Sequence, residues 1–336
     1  LIIIFLNSNS YGENNRYFEF DKGIIALMYH RFDEHKYPST NIQMDIFKEQ
    51  INIIENLKIN FLHPKNFNEE ISKPNEVKKI LLTIDDGFQS FYDNAWPILK
   101  KKNIPFILFI STAYVGKNGY MNWEQIKEIE KSGLGIIGNH SHTHKYLVDE
   151  TNNQIINDLN QAIALFEKEL GHSPSYFSYP FGEYSNDFKK ILINLNFNVA
   201  FGQHSGVIDG TKNYLELPRF PINEKYGNLD RFKFIIDLLP FPYKEIYPEN
   251  RYLQKNENPP ELRVTFFKNQ KNLKNINCFS NEGNRWRDSK IKLGEENILT
   301  INFEEKFTTE RGRINCSLND KNGWRWLGIQ YVISEY

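Results

Sequence analysis

The sequence predicts an α/β fold: a distorted (β/α) barrel of about seven or eight parallel strands, followed by a small all-β, sandwich-like C-terminal domain. Three observations predict it. From about residue 23 to 222, short apolar runs alternate with segments of helical periodicity, the pattern of βαβ units. The 336 residues are 40% hydrophobic and 15% aromatic, enough for a substantial core. After residue 261 the runs are short and separated by turn residues, as in stacked antiparallel sheets.

The chain opens on "LIIIFLNSNS", which is too short to span a bilayer. Residues 1–22 are expected to be the remnant of an export signal, with an N-terminal strand as the alternative. No later segment reaches the roughly 18 uninterrupted apolar residues of a membrane span. The strand candidates are 24–30, 59–64, 79–85, 105–111, 134–140, 175–180, 197–202 and 214–220. Helical patterns lie between them, near 44–57, 92–102, 123–131, 154–170 and 185–195. Asn122 fits an N-cap and Gly133 a C-terminal stop for the third of these. The barrel domain is placed at 23–240. The Pro-, Asn- and charge-rich stretch 241–261 is expected to be a linker, and 262–336 the β-rich accessory domain.

The formal net charge is −1, so no basic surplus argues for nucleic acid, and "KNQKNLKNIN" (268–277) reads as a solvated loop or strand edge. Cys278 and Cys316 are the only cysteines. In an exported protein they could form one disulfide, while two buried free thiols remain open; neither has zinc-finger spacing.

In a parallel barrel the working residues sit at the C-terminal ends of strands. Three polar clusters fall at such ends. The first, Asp85-Asp86-Gly87 in "LLTIDDGFQS", places two like charges side by side after an apolar run. That costs desolvation and repulsion unless something compensates. The second is "HSHTH", with His140 and His144 four apart, and the third the stiff turn "YPFGEY" (179–184). Two imidazoles and a carboxylate suffice for a divalent metal, which would also hold Asp86 ionised beside Asp85.

With these residues the chain resembles the polysaccharide deacetylases of the NodB-homology type, carbohydrate esterase family 4. The likeness covers roughly residues 23–222. Thr83-Ile84-Asp85-Asp86-Gly87 resembles the family's Thr-Phe-Asp-Asp-Gly motif, His140 to His144 its His-Ser/Thr-x-x-His motif, and Tyr179-Pro180-Phe181-Gly182 its aromatic-Pro-Tyr/Phe-Gly turn. The resemblance implies that Asp85 is the general base and that Asp86, His140 and His144 ligate a divalent metal, zinc being the expected ion. It implies further that the Phe181 backbone N–H helps stabilise the oxyanion.

The chain also departs from the family pattern. No Leu-x-His motif follows residue 222, whereas the first strand ends at His30. This resembles a circularly permuted branch that includes poly-N-acetylglucosamine deacetylases, and it implies His30 as general acid. His204, in "FGQHSG", is the rival acid or shapes the pocket. The Arg that often precedes the third motif is replaced by Ser178, and Arg219 is the expected substitute. Tyr179, Trp123 and Tyr184 are placed as substrate-binding aromatics, with packing as the alternative. Trp324, Trp326 and Tyr331 are compatible with sugar binding or with strand burial.

The implied function is an exported enzyme, periplasmic, envelope-bound or extracellular, that removes N-acetyl groups from a carbohydrate polymer or oligomer. Alternatives are hydrolysis of O-acetyl esters or other non-peptide C–N bonds, or a carbohydrate-binding protein without activity. Nothing in the sequence fixes the oligomeric state.

Overall fold

The computed structural model describes residues 21–334. The expected export remnant therefore lies outside the described residues, apart from its last two positions. Eight strands build the first sheet: β1 (Ile24–Tyr29), β2 (Asn60–Phe61), β3 (Lys79–Ile84), β4 (Phe106–Ile110), β5 (Gly135–Asn139), β6 (Tyr176–Ser178), β7 (Val199–Phe201) and β8 (Phe220–Pro221). Every pairing among them is parallel, in the order β8-β1-β3-β4-β5-β6-β7, with β2 added beside β3. The strands read as unbroken apolar runs because both faces are covered; all six residues of β1 and all five of β4 are buried.

The sheet curls until its ends meet through residues 214–221. Leu217 exchanges hydrogen bonds with β7, its N–H donating to Ala200 O at 3.0 Å and its carbonyl accepting from Gly202 N at 2.9 Å. Three residues on, Phe220 pairs with Leu27 of β1. This closing element is shorter than the strand expected at 214–220. The backbone first serves β7 and then turns to serve β1, so only two residues satisfy a regular ladder.

The flanking helices match the expected ones to within a few residues. Met44–Asn56 buries Met44, Phe47, Ile51 and Ile54 on one face. Asn122 caps Trp123–Lys131 in a reciprocal capping box with Gln125, and Thr151 does the same with Gln154 for Asn152–Leu170. A helix at Leu229–Asp237, capped by Asn228, was not expected from the sequence.

The C-terminal region is a two-sheet sandwich around a second core that includes Leu262, Val264, Leu299, Ile314 and Leu318. The stretch 241–261 is not a free connector. Glu245–Tyr247 pairs with Leu262–Thr265 in one sheet, while Leu239–Pro240 and Tyr252–Leu253 pair with Gly323–Ile333 in the other. Prolines are tolerated there because the segments are short and lie at sheet edges. Cys278 and Cys316 face each other across adjacent strands and are disulfide-bonded. The sandwich packs directly on the barrel: the Trp326 indole donates to Ser205 Oγ at 2.8 Å, and a Cβ at Gly328 would fall 2.2 Å from Ser205 O. Only glycine allows that approach.

Candidate active site

The C-terminal ends of β1, β3, β5, β6 and the β7–β8 connection converge on one cluster. β3 delivers Asp85, whose N–H donates to Tyr29 O at 2.9 Å, and the chain then reverses through Asp86 (φ 74°) and Gly87 (φ 78°). A Cβ on Gly87 would meet Ile110 Cδ1 at 2.7 Å, so glycine is required there twice over. Ser141, His144 and Phe181 also have positive φ. Left-handed non-glycine residues cost on the order of 1–3 kcal/mol each and concentrate where a site must be preorganised.

Asp86, His140 and His144 form the centre, with one potential ligand atom from each lying within 4.8 Å of the others. Asp86 Oδ1 is 3.4 Å from His140 Nε2 and 3.2 Å from His144 Nε2, yet it is buried without a hydrogen-bond partner. The His140 Nδ1 lies 2.6 Å from Ser178 O, which can only accept. The proton is thereby fixed on Nδ1, and the Nε2 lone pair points at Asp86. An orphaned carboxylate oxygen facing two imidazole nitrogens fits a divalent cation.

The adjacent Asp85 has a different environment. It is fully buried, and Arg219 grips both its oxygens, Nη1 at 2.7 Å from Oδ1 and Nη2 at 2.8 Å from Oδ2. Ser178 Oγ donates to Oδ2 at 3.2 Å and accepts from Arg219 Nη2 at 2.8 Å. Oδ2 also lies 3.9 Å from His140 Nε2 and 4.0 Å from His30 Nε2.

Among the protein's own charges, burial pushes both carboxyls up but is outweighed. Arg219 and His140 hold Asp85 below the usual carboxylate range, and the neighbouring imidazoles of His140, His30 and His144 hold Asp86 well below it. Burial, and then His140, lowers His144 to about 4. His30 is lowered chiefly by burial, against the pull of Asp86 and Asp85. Both aspartates are therefore ionised at neutral pH, which resolves the cost of placing them side by side.

His30, Asp86, His144, Phe181 and His204 line a common cleft of about 480 Å³. The Phe181 ring stacks on Tyr146 at 3.9 Å and meets His144 at 4.7 Å. The Nδ1 of His204 is buried without a partner, and burial holds its imidazole down at about 4. The three aromatics expected to bind substrate are not in this cleft. Tyr179 is fully buried with its hydroxyl on Leu215 O, Tyr184 is buried near Glu216, and Trp123 packs edge-on against Phe166. Their proximity to strand ends is real, but Tyr179 and Tyr184 are buried in the core and Trp123 is half-buried against it. Tyr331 is likewise buried, while Trp324 is exposed.

Two organising residues were not anticipated. Asp158 accepts from His142 N at 2.7 Å, Thr143 N at 3.0 Å and the Thr143 hydroxyl, and so shapes the turn that carries both histidines. Its signal was legible: an acid on the buried face of Asn152–Leu170, between Ile155 and Leu159. Ser178, noted only as a missing arginine, touches Asp85, Arg219 and His140 together.

Residues 72–200 match the family model for polysaccharide deacetylase, and they include all three motifs. That segment of the chain is a polysaccharide deacetylase domain. It is 25% identical over 244 residues to the poly-β-1,6-N-acetyl-D-glucosamine N-deacetylase of Staphylococcus aureus, covering 64% of this chain and 82% of the relative. The solved structure of IcaB from Ammonifex degensii superposes with a TM-score of 0.58 at 26% identity, over 64% of this chain and 96% of that one. The Streptococcus pyogenes deacetylase PplD, in complex with acetate, shares the fold with a TM-score of 0.56 at 23% identity, over 61% and 94% of the two chains. About a third of this chain lies outside each of these matches.

Proposed function

We propose that this chain is a metal-dependent hydrolase, a polysaccharide deacetylase removing N-acetyl groups from a carbohydrate polymer or oligomer. The observation that carries the reading is the convergence of Asp86, His140 and His144 beside an Asp85 anchored by Arg219. The likeness to the S. aureus poly-β-1,6-N-acetyl-D-glucosamine N-deacetylase supports it.

Asp86, His140 and His144 would hold the cation, zinc being the expected ion. When bound, it would supply Lewis-acid polarisation of the acetyl carbonyl and make water easier to deprotonate. Asp85 takes a proton from the attacking water; Arg219 and Ser178 leave it ionised and fix its orientation. The Phe181 backbone N–H, on a turn held at positive φ, donates to the developing oxyanion. As the C–O bond forms and the C–N bond breaks, the proton that Asp85 took from the water passes through His30 to the leaving amine, and acetate departs. His30 is preferred to His204 because it lies 4.0 Å from Asp85 Oδ2, within one water's reach of the base. The Cys278–Cys316 disulfide supports an exported location, where such bonds persist. No helix among the described residues is long and apolar enough to cross a membrane.

The test is acetate release from N-acetylglucosamine oligomers, compared with O-acetylated sugars, before and after chelation and on adding back zinc. N-acetyl substrates should be turned over, with loss on chelation and recovery on zinc. Release from O-acetylated sugars alone would establish the esterase alternative, and release from neither would leave a carbohydrate-binding protein.

A further inference from the structure

The cleft that holds Asp86 and His144 has a wall from outside the barrel: the C-terminal sandwich contributes Trp286, Arg311 and Arg313 to its lining. A second hollow of about 500 Å³ continues away from the site and shares Tyr226, Trp286, Arg311 and Arg313 with it. The two hollows form one track from the cluster onto the sandwich, a shape suited to a chain of sugars.

The charges along this track do not cancel. Arg311 is neutralised by Glu183, to which its Nε donates. Arg231 is spent on the carbonyls of Pro221 and Tyr226. Arg313 has neither arrangement. Its Nε donates to Gln330 Oε1 at 3.1 Å, and among the described residues no carboxylate lies within ion-pair distance of its guanidinium. It is only partly exposed, with Arg311 close enough to oppose its charge. A half-buried cation beside a like charge, without an anion of its own, is poised to receive one. Next to it Trp286 is 53% exposed, although large aromatics are usually covered. It offers an indole face for a pyranose ring.

We propose that the sandwich carries a subsite for an anionic substituent, a carboxylate or a phosphate, on the glycan whose N-acetyl group lies at the cluster. Arg313 binds the anion and Trp286 stacks on the sugar that bears it. This rests on the deacetylase reading for the identity of the polymer, but the subsite is defined by binding and does not need turnover.

The experiment measures equilibrium binding by titration calorimetry to the full chain. The ligands are a neutral N-acetylglucosamine tetramer, the same tetramer carrying a 6-phosphate, and a tetramer alternating N-acetylglucosamine with glucuronate. At least one acidic ligand should bind about tenfold or more tighter than the neutral one at low salt, and the gap should narrow as salt screens it. Which one binds tighter distinguishes phosphate from carboxylate. Arg313→Gln should bring the acidic-to-neutral ratio toward one, and Arg313→Lys, which keeps a charge but loses the fork, should retain part of it. Equal binding of acidic and neutral ligands by the unaltered protein overturns the proposal, as does a ratio untouched by Arg313→Gln. Acetate release measured in parallel separates the two readings: a preference for acidic ligands without release sinks the deacetylase reading alone. If Arg313→Gln fails to fold by circular dichroism, the unaltered protein's ratio and its salt dependence decide.

Discussion

Arg219 reaches across the barrel from the β7–β8 connection to hold both oxygens of Asp85 at 2.7 and 2.8 Å, with neither side chain exposed. A planar fork matched to a carboxylate in two parallel hydrogen bonds fixes orientation as well as charge. A carboxylate gripped this way keeps its remaining lone pairs in one direction.

Arg219→Lys is therefore expected to lower kcat more than it raises KM, by about tenfold or more, because the charge survives and the orientation does not. Arg219→Met also removes the charge that holds Asp85 down. Its carboxyl pKa rises, so the acid limb of the pH–rate profile moves to higher pH. Leaving Asp85 buried and unpaired should cost about 3–5 kcal/mol of stability in chemical denaturation. An acid limb that stays in place in Arg219→Met would show that Asp85 is not the group titrating.

The two aspartates should separate in a metal-binding measurement. Asp85→Asn is expected to cut acetate release by roughly 10²–10⁴ while zinc still binds, as followed by equilibrium dialysis. Asp86→Asn should lose zinc affinity along with activity, since its Oδ1 is the atom facing both imidazoles. If Asp85→Asn lost the metal as readily as Asp86→Asn, the division of labour between them would be wrong.

His30 can be tested through its leaving group. A general acid matters for expelling an amine and hardly at all for a nitrophenolate, which leaves without a proton. His30→Ala should lose about a hundredfold or more on N-acetylglucosamine oligomers and far less on 4-nitrophenyl acetate. Equal losses on both would make His30 a positioning residue, and the same pattern in His204→Ala would transfer the role there.

The parallel strands were readable because burial on both faces turns them into unbroken apolar runs, and each motif stood at the end of one. What escaped depends on contacts distant in sequence. Arg219 lies 134 residues from Asp85, so the sequence could nominate it but not show the grip. The apolar positions of Leu229–Asp237 run straight into "LLPFP", which hid the helix, and the prolines of 241–261 masked short edge strands. Tyr179, Tyr184 and Trp123 mark the limit of reading aromatics by position. Nearness to a strand end says nothing about which way a ring turns, and here all three pack against core residues.

The disulfide closes a loop of 38 residues within the sandwich. On chain-entropy grounds a loop of that size is worth about 3–4 kcal/mol. Cys278→Ser with Cys316→Ser should destabilise the protein by that order in denaturant. Reductant should produce a comparable loss in the unaltered chain and none in the double variant.

At the opposite end of the barrel, Asp21 offers a stability test with a definite sign. Its Oδ1 accepts from Gly23 N and Asn75 N, both at 2.8 Å, while Oδ2 is buried without a partner. Burial, and then the nearby Asp209, raises its pKa to about 7. Between its unfolded value near 3.8 and about 7 the folded state holds a proton that the unfolded state has released. Stability from this group is therefore fully present below the unfolded pKa, declines as pH rises toward 7, and stays reduced above it. Asp21→Asn keeps an acceptor for both backbone N–H groups and cannot ionise. It should flatten the decline between pH 4 and 7 and make the variant the more stable protein at pH 8. Urea midpoints at pH 4, 6 and 8 would check this, and a variant less stable than the original at pH 8 would show that the ionised carboxylate is preferred in the fold.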